Sequence, residues 1–195
     1  MRALVVVCHP KPDSFTHAMA AAATEGLERA GHSVEVIDLY ALGFQPAMSE
    51  QERRAYHSDE PIVDPLVASS AEAVHQAEML VFVYPTWWSS LPAMLKGWLE
   101  KTMVPGVAFV FNQAGKVRPG MTHIRRVVGI SCYGSPRTYV RLVNDNGRRT
   151  LLRALRLNTG PRCRTTWLAC YSLDTSTALD RAGFLHRITS TLAAL

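Results

Sequence analysis

The sequence lacks most of the short motifs by which soluble enzymes are commonly recognised. Its four cysteines, Cys8, Cys132, Cys163 and Cys170, form no CxxC or CxxH pair, so neither a metal site nor a disulfide framework is predicted. No GxGxxG fingerprint, Walker lysine loop or GxSxG elbow is present, which argues against a Rossmann dinucleotide site, a P-loop and a serine hydrolase. No apolar run is long enough to span a membrane or act as a signal peptide, so we expect a cytoplasmic protein.

Charged residues are also sparse. They make up 19% of the chain against 48% hydrophobic residues, which is typical of a globular protein. A chain of 195 residues can bury a substantial core, so a single domain over residues 1–195 is predicted. The net charge is +5, and many arginines lie between Arg125 and Arg164. Because no nucleic-acid-binding motif accompanies them, this basicity indicates solubility or attraction for small anions, and no nucleic-acid partner is expected.

Five short apolar or alternating runs predict strands, namely Ala3–Cys8, Ser33–Asp38, Met79–Tyr84, Arg126–Cys132 and Thr165–Tyr171. Helical patterns between and after them cover Ser14–Ala30, Leu66–Ala77, Pro92–Thr102, Tyr139–Leu157 and Thr177–Leu195. The segment Ala41–Pro65 is polar and is predicted to be irregular and to add little to the core. This alternation predicts an α/β protein with a doubly wound, five-stranded parallel sheet in three layers. Such sheets bind ligands where the strands end at their carboxyl side.

The loop after the first predicted strand places polar side chains at a helix N-terminus. His9, Lys11, Ser14 and Thr16 combine hydroxyl donors with positive charge, which suits a phosphate or pyrophosphate. Alternatively, Asp13 or Ser14 serves only as the N-cap of the helix. Both interpretations are open at the level of the sequence.

Two adjacent tryptophans, Trp87 and Trp88, follow the third predicted strand. An isolated pair of this kind would usually be a core or dimer contact. Here, however, it is surrounded by prolines and hydroxyl residues, at Pro85, Thr86, Ser89, Ser90 and Pro92. Fixed loop shape, aromatic surface and polar groups together suit a flat heterocycle. After the fourth strand, Gly134 permits close backbone approach, while Cys132 has no visible histidine partner and is not predicted to be a nucleophile.

The order of these motifs resembles that of the flavodoxin-like NAD(P)H:quinone oxidoreductases, the DT-diaphorase-like family with smaller bacterial members. The family's H-x(5)-F matches His9 and Phe15, and its D-L-Y matches residues 38–40. Its P-x-x-W-x-x-x-P-A-x-L-K-G-W pattern matches at Pro85, Trp88, Pro92, Ala93, Leu95, Lys96, Gly97 and Trp98. A following segment with small and aromatic residues matches at Gly106, Ala108, Phe109 and Phe111. The resemblance covers residues 3–140 and is loose beyond them.

The resemblance implies a non-covalent flavin, FAD or FMN, and NAD(P)H as electron donor. It implies phosphate and ribityl contacts from His9, Phe15 and Thr16, and isoalloxazine contacts from Pro85, Thr86, Trp87, Trp88 and Ser89. It places Ser131, Cys132, Tyr133 and Gly134 at the pyrimidine side, and Tyr139 near its edge as the catalytic tyrosine. It places Phe109 and Phe111 in the substrate pocket, often across a homodimer interface. The segment Ala41–Pro65 is long enough to cover an adenine, which favours FAD.

The activity implied by this resemblance is that of an NAD(P)H dehydrogenase (quinone). Two electrons pass from NAD(P)H to a quinone or a similar flat acceptor in a ping-pong hydride mechanism, in which the cofactor carries the chemistry. The family's Tyr–His pair is incomplete here. Tyr139 fits the tyrosine, but residues 144–146, where the histidine would fall, contain none.

Three alternatives use the same flavin. The first is a regulatory subunit in peripheral contact with a membrane transporter, without membrane insertion, docked through a basic patch at Arg137, Arg141, Arg148 and Arg149. For most of these arginines, however, the favoured interpretation is a solvated helix face, and the other interpretation is that one of them contacts the 2′-phosphate of NADPH. The second alternative is reduction of azo or nitro compounds, which the sequence does not separate from quinone reduction. The third, a one-electron carrier like flavodoxin, is disfavoured because such carriers are typically acidic.

Overall fold

The apolar runs of the sequence form the strands of the sheet, as predicted. The computed structural model describes residues 1–58 and 60–195. Its strands are β1 (Arg2–Val7), β2 (Ser33–Asp38), β3 (Met79–Pro85), β4 (Phe109–Phe111), β5 (Val117–Pro119), β6 (Arg126–Cys132) and β7 (Arg164–Cys170). Five of them pair in parallel in the order β2-β1-β3-β6-β7, while β4 and β5 form a separate antiparallel hairpin. This is the strand order of the flavodoxin-like doubly wound sheet, so the predicted fold class is confirmed.

The sheet is buried on both faces, which explains why its central strands are apolar without alternation. Along β3, Leu80, Phe82 and Tyr84 belong to one core cluster. Their neighbours Met79, Val81 and Val83 belong to a second cluster on the opposite face. Successive side chains of a strand point to opposite faces, so one apolar run supplies both cores.

Helices cover both faces of the sheet. They are α1 (Phe15–Arg29), α2 (Glu50–Ala55), α3 (Pro65–Gln76), α4 (Ala93–Thr102), α5 (Arg137–Leu142), α6 (Asn146–Arg149), α7 (Leu155–Thr159) and α8 (Ala178–Ala193). Ser14 caps the start of α1, and Gly31 follows its end at φ +75°, as the sequence predicts. Within residues 1–58 and 60–195, no helix is long and apolar enough to cross a membrane.

The predicted continuous helix over Tyr139–Leu157 is wrong. The chain instead forms α5, α6, a π-helical turn at Thr150–Ala154 and α7. The break falls at Asn144 and Asp145, whose φ values of 74° and 45° lie in the left-handed region. Asn and Asp adopt this region more readily than other non-glycine residues, so the chain can turn here without glycine.

The prediction that Ala41–Pro65 is irregular and adds little to the core is also wrong in part. The segment contains the short helix α2, and Phe44 is fully buried in the core. Lys101 of α4 holds the segment in place, with its Nζ 2.8 Å from both the Gln45 carbonyl oxygen and Glu52 Oε1. A further ion pair joins Lys101 to Asp64 at 3.3 Å. These contacts connect residues far apart in sequence, so no local pattern reveals them.

Candidate active site

The loops that follow β1, β3 and β6 meet at one edge of the sheet. Pro85 at the end of β3 is in register with Cys132 at the end of β6. The Thr86 N–H donates to the Cys132 carbonyl oxygen at 2.8 Å, and the Cys8 N–H donates to the Val83 carbonyl oxygen at 3.0 Å. The predicted convergence of these loops is therefore what the fold produces, at the β1/β3 switch point where such sheets bind ligands.

A cavity of about 390 Å³ opens at this edge. The predicted residues that line it are Pro85, Thr86, Trp87, Trp88, Ser89, Cys132, Tyr133, Gly134 and Tyr139. The lining also includes Ser135, Val140, Val143, Asp145, Leu173 and Asp174, which were not predicted. The volume lies within the range of small-molecule and cofactor sites.

The two tryptophans stand on a tight turn at the rim of this cavity. Trp87 and Ser90 exchange backbone hydrogen bonds of 3.2 and 3.0 Å. The two central residues, Trp88 and Ser89, have φ values of 49° and 59°, as in a type I′ turn. Such turns favour Asn-Gly, so holding Trp and Ser here stores backbone strain of the kind found at functional sites. The Trp88 side chain is fully exposed, at 100%, and Trp87 is 41% exposed.

The cavity presents free hydrogen-bond donors. The backbone N–H groups of Trp88, Ser89, Gly134 and Ser135 make no hydrogen bond to any residue in the described part of the chain. Thr86 follows directly after β3, and its Oγ1 lies 2.9 Å from Ser131 Oγ on β6. Ser131 is fully buried and lies behind the lining, not in it. Aromatic surface beside several unpaired N–H groups suits a flat ring system that carries carbonyl oxygens and ring nitrogens.

Gly134 shows how closely the loop after β6 approaches its neighbour. A Cβ atom at this position would lie 2.4 Å from Asp174 Oδ2, a carboxylate from the loop after β7. Glycine therefore leaves room for the Asp174 carboxylate against this backbone, and a side chain here would displace the end of the Asp174 side chain. Asp174 could have been found from the sequence, because the convergence rule for strand ends applies to the fifth strand as well.

Several predicted site residues lie outside this lining. His9 stands next to it, with its ring centroid 5.7 Å from that of Trp87. Thr16 is buried against the Cys132 thiol. Phe15 packs against the core with its ring 6.3 Å from Phe184.

Phe109 and Phe111 are placed elsewhere, on the β4–β5 hairpin. Their rings meet edge to face at 5.8 Å. Phe109 packs partly against the core, whereas Phe111 is exposed. Neither belongs to the lining of the cavity at the sheet edge.

The loop after β1 resolves the question of what caps α1. Ser14 is the N-cap, and its Oγ accepts the His17 N–H at 3.3 Å. Asp13 is not a cap but pairs with Lys11 at 3.2 Å on the surface. His17 in turn lies 2.9 Å from Asp38 Oδ2, which joins α1 to the end of β2.

His9 acts here as a hydrogen-bonding group more than as a cation. Burial lowers the pKa of His9. The hydrogen bond to the Lys11 backbone opposes this in part, and the electrostatic effects of His17 and Lys11 add smaller decreases. At neutral pH the ring is therefore mostly uncharged. The helix N-terminus and the neighbouring hydroxyls supply the remaining donors for an anion at this loop.

The cysteines at this edge are chemically inert. Burial raises the pKa of the Cys132 thiol to about 12, and that of Cys8 to about 12 as well. Because the thiolate is the reactive form, neither is a nucleophile at neutral pH. The described residues contain no cluster of three or more His, Cys, Asp or Glu side chains that could hold a metal ion.

One side of the cavity carries a hydrogen-bonded pair that the sequence did not reveal. The Tyr133 hydroxyl donates to Asp145 Oδ1 at 2.8 Å. Tyr133 also stacks on Tyr171 with ring centroids 4.9 Å apart. Tyr139, the predicted catalytic tyrosine, lines the same cavity and is half-exposed.

Comparison with known proteins confirms the predicted resemblance. The NAD(P)H dehydrogenase [quinone] 1 of Cavia porcellus is 31% identical over an alignment of 153 residues that covers 71% of this chain and 55% of that protein. The ribosyldihydronicotinamide dehydrogenase [quinone] of Pongo abelii is 31% identical over an alignment of 125 residues that covers 55% of this chain and 53% of that protein. The chain thus spans about half the length of the curated relatives that it matches.

A solved structure covers the whole fold. The NAD(P)H:quinone oxidoreductase of Methanothermobacter marburgensis superposes with a TM-score of 0.83 at 26% identity, covering 99% of this chain and 94% of that one. The family model described as flavodoxin-like fold matches residues 1–160, and the chain belongs to that family.

Proposed function

We propose that this protein is a flavin-dependent oxidoreductase that transfers two electrons from NAD(P)H to a quinone or a similar flat acceptor. The observation that carries the proposal is the cavity at the ends of β3 and β6, where an aromatic turn faces unpaired backbone N–H groups. Similarity to the Methanothermobacter marburgensis quinone oxidoreductase over nearly the full chain supports the same assignment. When bound, a flavin supplies reversible two-electron redox chemistry that amino-acid side chains do not offer.

In this proposal the two loops would hold the ring of the cofactor. The turn at residues 87–90 would line one wall and offer the N–H groups of Trp88 and Ser89, while Gly134 and Ser135 would offer theirs from the loop after β6. Thr86, Ser89 and Cys132 would complete the ring contacts, together with Pro85 and Tyr133. Ser131, which is fully buried, would act by holding the Thr86 hydroxyl. His9, Phe15 and Thr16 are assigned to the phosphate and ribityl region at the start of α1.

The exposed side chains at the mouth of the cavity support a proposed order for the reaction. The open side of the cavity is bounded by Trp88 and Tyr139, both exposed. In this proposal it takes one flat molecule at a time. Donor and acceptor therefore occupy the same position in turn, which is a ping-pong order. Tyr139 is assigned to the acceptor side, where its hydroxyl can donate a hydrogen bond to a developing oxyanion.

Phe109 and Phe111 are proposed to complete the acceptor pocket of a second protomer. Their hairpin carries exposed apolar residues, including Val110, Phe111 and Val117. An exposed apolar hairpin outside the site of its own chain is consistent with a role across a homodimer interface.

The FAD preference remains a prediction. It rested on Ala41–Pro65 covering an adenine, but Lys101 fastens part of this segment to α4. Release of the bound cofactor by heat, followed by chromatography against FAD and FMN standards, identifies which one is held.

The experiment that tests the function is a visible absorption spectrum of the purified protein, before and after adding NADPH and then a benzoquinone. The expected result is a yellow protein that bleaches with NADPH and regains its colour with the quinone. A colourless protein that takes up neither FMN nor FAD would overturn the proposal. If the protein is yellow but neither NADPH nor NADH bleaches it, the proposed electron donor and the proposed reaction class are both wrong.

A further inference from the structure

A second cavity, of about 590 Å³, lies beside the first and is lined by arginine. Its basic residues are Arg137, Arg141, Arg148, Arg149 and Arg153. They are accompanied by apolar and aromatic surface from Val140, Leu152 and Tyr171. One carboxylate, that of Asp145, lines the same cavity, so the positive charge is largely uncompensated.

The charge of these arginines is not neutralised elsewhere. None of the five forms an ion pair with an acidic side chain in the described part of the chain. By contrast, Arg29, Arg54 and Arg125 each pair with a glutamate. Asp145 already accepts the Tyr133 hydroxyl. Like charges that line one cavity repel one another. An unpaired arginine cluster around a concave surface therefore favours an anionic ligand.

The broken helix is what assembles this cluster. Arg137 and Arg141 stand one turn apart on α5, Arg148 and Arg149 lie on α6, and Arg153 lies in the π-helical turn. The left-handed residues Asn144 and Asp145 redirect the chain between α5 and α6. On a single straight helix the five arginines would lie along one convex side about 24 Å long, whereas the break lets three short segments surround one cavity.

The arginine-lined cavity is continuous with the candidate active site. Val140 and Asp145 line both cavities. Tyr133 lines the first and Tyr171 the second, and their rings stack at 4.9 Å with an interplanar angle of 22°. A ligand bound at the ring site can therefore extend its other end among the arginines.

We propose that the arginine-lined cavity binds the phosphate-bearing adenosine half of the dinucleotide donor and makes the protein prefer NADPH to NADH. This inference rests on the proposed function, because it names the donor of that same site. Arg guanidinium groups bind phosphate in bidentate fashion, and five of them exceed what a pyrophosphate alone can engage. The additional 2′-phosphate of NADPH would engage the arginines that the pyrophosphate does not. Tyr171 offers an aromatic surface for the adenine.

The first test is an equilibrium one and needs no turnover. Calorimetric titration of the purified protein with 2′,5′-ADP and with 5′-AMP is expected to show at least about tenfold tighter binding of 2′,5′-ADP. The double variant Arg141→Ala/Arg149→Ala is expected to lose about tenfold in affinity for 2′,5′-ADP. The variant Arg149→Lys keeps the charge but not the bidentate fork. Its affinity for 2′,5′-ADP is expected to lie between that of the original protein and that of the double variant.

A charge-matched control separates specific binding in the cavity from non-specific attraction by the net positive charge of the protein. Arg156 and Arg162 are exposed and lie outside the cavity lining, so Arg156→Ala/Arg162→Ala removes the same charge. The control is expected to bind 2′,5′-ADP within about twofold of the original protein. Equal affinity for 2′,5′-ADP and 5′-AMP, no binding of either, or equal weakening in both double variants would overturn the inference.

The second test compares donors. Dihydronicotinamide riboside reduces a flavin like NADPH but carries no phosphate, so it cannot use the arginines. Arg141→Ala/Arg149→Ala is expected to lower kcat/KM about tenfold for NADPH and to change it within about twofold for the riboside. An equal loss for both donors would mean a structural role and would overturn the inference. If the protein holds no flavin the proposed function fails, and the titration with 2′,5′-ADP still decides whether the cavity binds phosphate.

Discussion

Tyr133 donates a hydrogen bond to Asp145 across 2.8 Å and so connects the loop after β6 to the break between α5 and α6. Asp145 lies in residues 144–146, the segment in which the resemblance would place a histidine. A buried tyrosine and a carboxylate therefore meet at this wall of the site. Because Asp145 lines both cavities, this one contact positions the wall that the candidate active site shares with the arginine cluster.

Tyr133→Phe is expected to lower the free energy of unfolding by about 1–2 kcal/mol, since it removes the donor to Asp145. Burial raises the pKa of Tyr133, and the Asp145 charge raises it further, so the hydroxyl is a donor at neutral pH. Urea unfolding measures the loss. Tyr171→Phe is the control, because the Tyr171 hydroxyl makes no hydrogen bond to a described residue although its ring stacks on Tyr133. Equal losses in both variants would attribute the effect to ring packing.

Trp88→Ala is expected to weaken flavin binding about three- to tenfold while leaving the apoprotein as stable as before. The side chain is 100% exposed, so its removal costs no core packing, whereas an aromatic wall contributes about 0.5–1.5 kcal/mol to a stacked ring. Fluorescence titration with FMN and FAD measures the affinity. The control is Leu179→Ala on α8, which removes another side chain that is 82% exposed. Unchanged flavin affinity in Trp88→Ala would remove this residue from the site.

The turn geometry at Trp88 makes a separate prediction. Its φ of 49° strains any residue with a Cβ atom, and glycine tolerates it. Trp88→Gly is therefore expected to be more stable than Trp88→Ala by about 1 kcal/mol, as measured by urea unfolding of the apoprotein. A less stable glycine variant would show that the left-handed turn is not formed in solution.

Lys101→Met is expected to destabilise the protein by about 2–3 kcal/mol at pH 6, because Lys101 is 3% exposed and its loss leaves Glu52 and Asp64 unpaired. Burial works against ionisation of both carboxyls, but hydrogen bonds from Lys101 and from backbone amides outweigh it and lower both pKa values below the ordinary 4.5 and 3.8. A lowered pKa in the folded state stabilises the protein above the ordinary value, and this contribution is lost as the pH falls through the lowered one. The difference between the original protein and Lys101→Met should therefore narrow from pH 6 to pH 3.

Lys96→Met provides the matched control for this pH dependence. Lys96 lies on the same helix, but it pairs on the surface with Glu100 one turn away. Surface pairs of this kind contribute little, so Lys96→Met should change the unfolding free energy by less than about 0.5 kcal/mol at either pH. If the effect of Lys101→Met is the same at pH 6 and pH 3, the loss comes from packing and not from charge.

The sequence was most informative where structure depends on neighbouring residues. β2 and β6 were predicted with their observed bounds, because buried runs between turn residues define strands locally. The first helix was predicted to within a residue at each end from Ser14 and Gly31. The candidate site residues after β3 and β6 could also be predicted, because each loop follows directly from a strand that the local sequence defines.

What the sequence did not reveal depends on contacts between distant segments. The break at Asn144 and Asp145 interrupts a pattern whose helical periodicity continues on both sides, so periodicity alone could not locate it. The arginine cavity forms where that break brings three short segments together. Similarly, Phe44 is buried in the core cluster under α4, where the Lys101 ammonium lies 5.0 Å from the centre of its ring. Tertiary contacts of this kind override local propensity.

Gly97 tests one of these distant contacts directly. A Cβ atom at this position in α4 would lie 2.2 Å from the Pro46 carbonyl oxygen, a backbone atom that cannot move without shifting the whole segment. Gly97→Ala is therefore expected to lower the free energy of unfolding by about 2–3 kcal/mol despite the better helix propensity of alanine. Gly183 is the matched control, since it also lies inside a helix but has nothing within 4 Å of its added Cβ. Gly183→Ala should stabilise by about 0.5–1 kcal/mol. Urea unfolding of both variants gives opposite signs if α4 packs against Pro46, and stabilisation by both would mean that the segment after β2 is held away from α4 in solution.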